Sequence, residues 1–220
     1  MIKACIFDMD GTVSNTINSI AYFANNALKK AGLPPIGTDT YKKLVGNGAK
    51  VLVERMLETV GADNSYYEEV AYEYNTKYDA DFLYLTEPYE GIIDMLKSLK
   101  QMGIKVAILS NKPHGTALKV ADALFSDSLI DICYGGREGI ALKPDPAGVF
   151  EIINELGVKK EECLYIGDTA TDMRTGKGAD LYTIGVLWGF RDREELENGG
   201  ADEIISHPSE IINIVDKFSK

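Results

Sequence analysis

Two aspartates stand one residue apart where the first apolar run of the chain ends. The run Ala4–Phe7 has the composition of a buried strand, and it is followed by Asp8, Met, Asp10, Gly11 and Thr12. Side chains two positions apart on an extended chain point to the same side, so Asp8 and Asp10 face the same space. Carboxylates beside buried apolar surface are costly unless a cation or hydrogen bonds compensate them. The pair is therefore a candidate for chemistry rather than for packing.

Three other groups of polar residues stand beside apolar runs or helical patterns. They are Ser110-Asn111-Lys112 after Val106–Leu109, Lys143-Pro144 before a helical pattern, and Gly167-Asp168 with Asp172 after Leu164–Ile166. Each group alone is a weak signal, because a strand-end aspartate can cap the next helix and Ser and Asn are ordinary turn residues. In a doubly wound sheet, ligands bind at the carboxyl ends of the strands, so all these groups are expected to meet at one edge.

The elements that would position these residues are strands alternating with helices. Short apolar runs recur at Ala4–Phe7, Val106–Leu109, Ile132–Tyr134, Leu164–Ile166, Thr183–Leu187 and Glu203–Ile205. Between most of them, apolar residues recur with helical spacing, as in residues 92–99. The alternation predicts an α/β fold with a doubly wound, mostly parallel sheet.

Residues 14–82 break this alternation. They contain three helical stripes of apolar residues and no strand pattern. We predict a small helical domain over residues 14–82, inserted directly after the first strand into a core formed by residues 1–13 and 83–220. Seven of the twelve tyrosines lie between Tyr66 and Tyr89, which favours aromatic packing of a thin domain over a surface that closes on a ligand.

Composition and charge narrow the function. The net charge of −11 over 220 residues argues against a nucleic-acid or anionic-membrane partner, since both select for clustered Lys and Arg. Cys5, Cys133 and Cys163 have no CxxC spacing and stand in or beside apolar runs, as small core residues of a reducing compartment do. The sequence shows no secretion signal and no apolar stretch of about 18 residues, so we expect a cytoplasmic protein, monomeric by default.

If the acidic side chains lie together in one crevice, a cation is expected to bind among them. The carboxylates of Asp8, Asp10 and Asp168 would repel one another there unless a hard cation stood among them, and Mg²⁺ suits such oxygen ligands. The cation and Lys143 would supply the local positive field that an anionic phosphate ester needs in an otherwise acidic chain.

The two N-terminal aspartates can divide the work of hydrolysing such an ester. One carboxylate can act as nucleophile and form an aspartyl phosphate, while the other protonates the leaving alkoxide and later deprotonates a water. Gly11 lets the backbone approach closely and offers N–H groups to phosphoryl oxygens, and Ser110 can hold another oxygen. Spacing alone assigns neither role to a particular aspartate.

Four short motifs resemble those of the haloacid-dehalogenase superfamily of phosphohydrolases, which has a Rossmann-like core. They are "DMDGT", "SN" after a strand, "KP" and "GDTATD", in this order. The resemblance implies that Asp8 is the nucleophile and a metal ligand. It implies that Asp10 is the acid/base and binds the metal through its backbone carbonyl. Ser110 would then bind the phosphoryl group, and Lys143 would steady its charge.

The same resemblance extends to the metal, the substrate and the inserted helices. It implies that Asp168 is a ligand of Mg²⁺, and that Asp172 either contacts the residues that bind the ion or binds the ion through a water molecule. We expect Gly11, Thr12 and Asn111 to be further substrate-binding positions. The inserted helices correspond to the helical cap of the family, which closes over the site and selects the substrate.

Three longer segments are similar to bacterial phosphoglycolate phosphatases and their near relatives. They are residues 45–57, 88–114 and 143–158. The similarity implies that Gly46-Asn47-Gly48 is a cap loop that faces the substrate. Lys50 and Arg55 can meet a substrate carboxylate, although solvated helix charge is the simpler interpretation of both.

Other activities are compatible with parts of the pattern. A sugar phosphomutase, a pyrophosphatase or a nucleotidase of the same superfamily would share the core motifs and differ in the cap. A dehalogenase needs neither a metal nor an acid at position 10, so Asp10 and the pair of Asp168 and Asp172 argue against that activity. A phosphonate hydrolase needs a cap lysine that forms a Schiff base, a role open to Lys42, Lys43 or Lys50. A signalling receiver domain would be shorter and would lack the insertion.

His114 and Trp188 are interpreted as loop and packing residues.

Taken together, the motifs predict a Mg²⁺-dependent phosphomonoesterase that acts on a small phosphorylated metabolite. The cap-loop segment favours 2-phosphoglycolate as the first candidate.

Overall fold

A parallel sheet built around the first strand organises the fold. The computed structural model describes residues 1–126 and 128–218. The strands are β1 (Ala4–Phe7), β2 (Ser14–Asn15), β3 (Glu87–Pro88), β4 (Lys105–Pro113), β5 (Ile132–Gly136), β6 (Cys163–Gly167), β7 (Tyr182–Val186) and β8 (Glu203–Ile205). The α-helices are α1 (Ile17–Lys30), α2 (Thr38–Leu44), α3 (Gly48–Thr59), α4 (Tyr67–Ala80), α5 (Ile92–Gln101), α6 (His114–Leu124), α7 (Ala147–Leu156), α8 (Ala170–Gly178), α9 (Arg193–Gly199) and α10 (Glu210–Lys217). Short 3₁₀ turns span Asn64–Tyr66 and Lys160–Glu162.

The strand order of the main sheet is β5-β4-β1-β6-β7-β8, and neighbouring strands run parallel. β1 lies between β4 and β6, with Phe7 opposite both Ile108 and Ile166. The strand order reverses at β1, and this is where a doubly wound sheet opens a crevice at its carboxyl edge. The predicted α/β class with a doubly wound parallel sheet is confirmed.

Both faces of β1 are buried, as is usual for an inner strand of a parallel sheet. Cys5 and Phe7 join the apolar cluster on one face, and Ala4 and Ile6 join the cluster on the other. All four residues are fully buried. Because the strand has no polar position, its first acidic side chain is that of Asp8, directly at the carboxyl end.

Helices α1 to α4 pack around an apolar cluster of their own. Tyr41 and Met56 are fully buried in it, and Phe190, from the loop after β7, packs against them from the side of the sheet. These helices fall within the segment predicted as a cap, residues 14–82. The division of the chain into core and cap domains at these boundaries remains a prediction.

The segment predicted to contain no strand begins with one. Ser14–Asn15 forms β2 and pairs antiparallel with β3, Glu87–Pro88, so the prediction is wrong at the first two residues of the segment. A two-residue strand is too short to show an alternating pattern, and its partner lies on the far side of four helices in the sequence. The pair joins the two points at which the chain leaves the sheet and returns to it.

The cysteines are free thiols in or beside the core, with Cys5 and Cys163 buried and Cys133 half-buried. This agrees with the sequence interpretation of small packing residues. Within residues 1–126 and 128–218, no helix has both the length and the apolar character needed to cross a membrane.

Replacing Met56 tests how much the helical cluster contributes to stability. Met56 is fully buried in α3, so Met56→Ala is expected to lower the free energy of unfolding by about 2–5 kcal/mol, the usual range for truncating a large buried side chain. Met102→Ala is the matched control, because Met102 is 40% exposed and its loss is expected to cost less than about 0.5 kcal/mol. Urea unfolding measures both variants, and equal losses would contradict the packing described for Met56.

Candidate active site

The carboxyl ends of three adjacent strands bring the predicted site residues together. Asp8 follows β1, Ser110 lies near the end of β4, and Asp168 follows β6. All three residues are buried, with exposed fractions of 6%, 4% and 0%. The Asp8 amide donates to the Ile166 carbonyl at 2.8 Å, so the pairing of β1 with β6 continues to the first aspartate.

Ser110, Asn111 and Lys112 lie within β4, although the sequence predicted that they follow the strand. β4 continues to Pro113, and its register with β5 shifts between Leu109 and Pro113. Such an irregularity redirects side chains that regular pleating would send to alternate faces. All three residues therefore line the same cavity.

A buried ammonium connects carboxylates from two parts of the chain. Lys143 Nζ lies 2.6 Å from Asp8 Oδ1 and 2.7 Å from Asp172 Oδ1, and its side chain is only 3% exposed. Burial alone would lower the pKa of Lys143, but Asp172 and Asp8 outweigh it and raise this pKa well above its ordinary value. Lys143 is therefore charged, and it holds Asp8 in place.

Asn111 positions this lysine. Its side-chain oxygen accepts from the Lys143 amide at 2.8 Å, and its Nδ2 donates to the Lys143 carbonyl at 3.0 Å. Nδ2 also donates to the Gly46 carbonyl at 3.1 Å. The side chain predicted to bind substrate is thus hydrogen-bonded to the backbone of Lys143 and to the backbone of Gly46.

Asp168 is held by donors on both of its oxygens. Thr12 Oγ1 donates to Oδ1 at 3.2 Å, and the Phe190 amide donates to Oδ2 at 2.7 Å. Gly11 has φ +92°, and a Cβ at that position would stand 2.2 Å from Asp168 Oδ2. A Cβ on Gly189 would stand 2.3 Å from Asp168 Cβ. Both glycines are therefore required by the close approach of Asp168.

Gly11 and Thr12 have neighbours other than those the sequence analysis expected. The Gly11 amide, expected to point at phosphoryl oxygens, donates to the Ser14 carbonyl at 2.9 Å. Thr12 is fully buried, and its hydroxyl binds Asp168. In this structure, both residues shape the surroundings of Asp168.

Asp172 both caps helix α8 and binds Lys143. Its Oδ2 accepts from the Thr169 amide at 3.1 Å and from Thr169 Oγ1 at 2.6 Å, in a capping box at the start of α8. Its Oδ1 accepts from Lys143 and, at 3.4 Å, from the Tyr165 hydroxyl. Since Asp172 has donors on both oxygens and no exposed surface, it is a fixed negative charge behind Lys143.

Three carboxylates and one ammonium leave this edge of the sheet with excess negative charge. Oxygens of Asp8, Asp168 and Asp172 lie within 4.8 Å of one another. Burial first, and Asp172 next, raise the pKa of Asp8 to about 7 despite the opposing effect of Lys143. Burial, with Asp172 and Asp8, raises the pKa of Asp168 well above its ordinary value. Hard oxygen donors with uncompensated charge suit Mg²⁺, so the donor set fits such an ion.

The Asp10 carboxylate pairs with a second buried lysine, Lys112. Lys112 Nζ lies 3.0 Å from Asp10 Oδ1 and 2.9 Å from Oδ2. The Lys112 side chain is 6% exposed and that of Asp10 is 20% exposed. The sequence analysis noted Lys112 only as part of a polar group and gave it no role, because its position depends on the register shift in β4.

A cavity of about 330 Å³ lies between these side chains and the helices of residues 14–82. Asp8, Asp10, Ser110, Lys112 and Lys143 form one part of its lining, and α1, α3 and α4 contribute mostly apolar and aromatic side chains. Except for Asp79 of α4, the charged residues of the described lining are Asp8, Asp10, Lys112 and Lys143, and the mostly apolar helical part offers room for an organic group.

The loop predicted to face the substrate lies against the site. Gly46 and Gly48 line the cavity, and the Gly46 carbonyl accepts the hydrogen bond from Asn111. Asn47 occupies the N-cap position of α3.

Other residues singled out in the sequence lie outside the lining of this cavity, as far as the described part of the chain forms it. Three of them have structural contacts: Arg55 Nη1 donates to the Leu44 carbonyl, His114 Nδ1 accepts from the Gly135 amide, and Trp188 Nε1 donates to the Thr12 carbonyl. Lys50 is exposed on α3. None of these contacts gives the residue a place beside Asp8.

Comparisons with known proteins agree with this geometry. A family model for haloacid dehalogenase-like hydrolases matches residues 2–180. The chain is 30% identical over 215 residues to the phosphoglycolate phosphatase of Aquifex aeolicus, with 98% of this chain and 97% of that protein covered. It is 27% identical over 217 residues to the N-acetylmuramic acid 6-phosphate phosphatase of Pseudomonas aeruginosa, with 98% and 96% covered.

A solved structure from Lactobacillus delbrueckii subsp. bulgaricus, provisionally described as a phosphoglycolate phosphatase, has the same fold. The TM-score is 0.91 at 30% identity, with 97% of this chain and 98% of that chain covered. The chain therefore belongs to the haloacid dehalogenase-like hydrolases, and it is a phosphatase of that family.

Lys143→Met tests the buried ion pairs directly. The variant keeps the length of the side chain but leaves Asp8 and Asp172 without their shared counter-charge. It is expected to lower the free energy of unfolding by about 3–5 kcal/mol, as breaking a buried ion pair does. Lys160→Met is the control, because Lys160 pairs with Asp180 on the surface, and it is expected to leave stability almost unchanged. Urea unfolding in chelator measures both, and a loss in Lys143→Met as small as that in the control would contradict the pairing.

Proposed function

We propose that the chain hydrolyses phosphate monoesters of a small metabolite through an aspartyl-phosphate intermediate. Asp8 is the nucleophile, Asp10 is the general acid and base, and Mg²⁺ is the cofactor. The observation that carries the proposal is the buried ion pair of Asp8 with Lys143 in the lining of a cavity that Asp10 and Ser110 share.

In the first half of the reaction, a carboxylate oxygen of Asp8 bonds to phosphorus as the bond to the ester oxygen breaks. Lys143 stabilises the negative charge that Asp8 and the phosphoryl group share, and Ser110 donates a hydrogen bond to a phosphoryl oxygen. Asp10 takes up a proton from solvent before this step and gives it to the departing alkoxide, so a neutral alcohol leaves and Asp8 carries the phosphoryl group.

In the second half, Asp10 acts as a base. It takes a proton from a water molecule whose oxygen attacks phosphorus, and the bond between phosphorus and Asp8 breaks. Inorganic phosphate is released, the Asp8 carboxylate is regenerated, and Asp10 again carries a proton.

The carboxylates of Asp8 and Asp168 and the backbone carbonyl of Asp10 are the groups that would hold Mg²⁺. Asp172 would act through water or through Lys143. When bound, the ion supplies positive charge beside the phosphoryl oxygens. The support is chemical, since oxygens of three buried carboxylates lie close together and Lys143 pairs with only two of them, Asp8 and Asp172. Burial, followed by the charge of the neighbouring carboxylates, raises the pKa of Asp8 and of Asp168, and a cation would offset both effects.

2-Phosphoglycolate is the first candidate substrate. The relatives from Aquifex aeolicus and Pseudomonas aeruginosa are named for phosphoglycolate and for N-acetylmuramic acid 6-phosphate. Both compounds are phosphomonoesters whose alcohol carries a carboxylate. The cavity of about 330 Å³ is at the small end of the range for small-molecule sites, which favours a small metabolite.

Asp8→Asn tests the nucleophile. It is expected to lower kcat by at least about 10³-fold, because removing a nucleophile leaves only the contribution of binding and charge stabilisation. Phosphate release from 2-phosphoglycolate, a hexose phosphate, a nucleoside monophosphate and pyrophosphate measures the wild type and the variant, with circular dichroism as the control for folding. Substantial turnover by the variant would rule out Asp8 as the nucleophile. A low rank for 2-phosphoglycolate would remove that substrate and leave the role of Asp8 intact.

Mg²⁺ binding can be tested without turnover. At about 100 times its dissociation constant, the ion is expected to stabilise the wild-type fold by about 2.7 kcal/mol, because it offsets the repulsion among the carboxylates. Thermal unfolding with and without Mg²⁺ should show a rise in Tm for the wild type and for the surface control Asp180→Asn, and little or no rise for Asp168→Asn. An equal rise in all three proteins would mean that the ion does not bind at Asp168.

A further inference from the structure

Lys112 has no part in the proposed chemistry, yet it is a buried cation in the cavity lining. Its ammonium bonds to both Asp10 oxygens and lies 4.7 Å from the centre of the Tyr78 ring. A buried ammonium is costly without a counter-charge, and here that counter-charge is Asp10.

The leaving group of the substrate must come close to Lys112. To give its proton to the ester oxygen, Asp10 must stand within about 3 Å of it. Both Asp10 oxygens lie within 3.0 Å of Lys112 Nζ, so the ester oxygen comes within about 6 Å of the ammonium. A carboxylate on the carbon next to the ester oxygen can therefore reach hydrogen-bond distance.

Lys112 also differs from the other cation of the site in how it is held. Among the described residues that line the cavity, Lys112 and Lys143 are the ones that carry an ammonium. Lys143 is held by two carboxylates, those of Asp8 and Asp172. Lys112 is held by one, and that carboxyl group must turn to the ester oxygen during the reaction. An anionic group on the leaving alcohol would then take the place of Asp10.

We infer that Lys112 determines the specificity of the site by binding a carboxylate next to the ester oxygen, and so selects phosphate esters of 2-hydroxy acids. The inference rests on the proposed function. With such a substrate, the Lys112 ammonium binds the substrate carboxylate in place of the Asp10 carboxylate, and it remains next to the Tyr78 ring. A neutral alcohol has no carboxylate to replace that of Asp10. The Lys112 ammonium then stays bound to Asp10 and competes with the ester oxygen for the Asp10 carboxyl group.

The test compares two esters of similar size, 2-phosphoglycolate and 2-hydroxyethyl phosphate, which differ in charge next to the ester oxygen. With wild-type protein and Mg²⁺, kcat/KM for 2-phosphoglycolate is expected to exceed that for the neutral ester by roughly 10- to 150-fold, the range for a hydrogen bond to a charged group. Lys112→Met is expected to reduce this preference to less than about 3-fold, mainly by raising KM for 2-phosphoglycolate. Lys112→Arg retains the charge and most of the preference, and the surface control Lys160→Met retains all of it.

Two results would overturn the inference. If Lys112→Met loses activity toward both esters equally, Lys112 only positions Asp10. If the wild type shows no preference for 2-phosphoglycolate, Lys112 does not bind a carboxylate. That result needs only the wild type, so it stands even if thermal unfolding shows that Lys112→Met does not fold. Failure of the proposed function is distinguishable, because the wild type would then release phosphate from neither ester, and the inference would fall with it.

Discussion

The buried ammonium of Lys143 is the interaction on which the rest of the site depends. It joins Asp8, at the end of β1, to Asp172, in α8, in an interior where either carboxylate alone would be strongly destabilising. The surrounding contacts keep this arrangement fixed: Asn111 holds the backbone of the lysine, and Thr169 holds Asp172. In a chain with a net charge of −11, Lys143 and Lys112 bring ammonium groups into the cavity lining, and under the proposed function Mg²⁺ would supply the positive charge that the surrounding carboxylates still require. Charges fixed before the substrate arrives need little reorganisation during the reaction, which is how preorganised sites stabilise a transition state.

The sheet topology decides which residues can meet at that point. β1 is buried on both faces and lies between β4 and β6, so its carboxyl end is enclosed by the ends of two strands that are distant in sequence. Asp8, Ser110 and Asp168 are neighbours because their strands are neighbours. The helices of residues 14–82 supply the opposite side of the cavity. The residues proposed to react are thus positioned at the carboxyl edge of the sheet, and helices form the opposite wall of the cavity.

The features that could be predicted from the sequence are those with a local signal. β1 is a run of apolar residues, and α5 shows apolar residues at helical spacing, so both were predicted where they lie. The meeting of Asp8, Ser110 and Asp168 follows from the rule that strand ends share an edge. The pairing of Lys112 with Asp10 could not be predicted, because it depends on a register shift between β4 and β5 that leaves no trace in the sequence. The contact of the Phe190 amide with Asp168 likewise depends on the path of a loop, which tertiary packing determines.

The short ladder between β2 and β3 has a consequence for how this protein can change over time. Both crossings between the sheet and the inserted helices pass through Ser14–Asn15 and Glu87–Pro88, which are hydrogen-bonded to each other. Insertions or deletions among the helices therefore need not alter the separation of the two crossings, and loops tolerate such length changes well. New helices can alter the opposite wall of the cavity while Asp8 stays at the end of β1 and Lys143, in the loop before α7, stays paired with it.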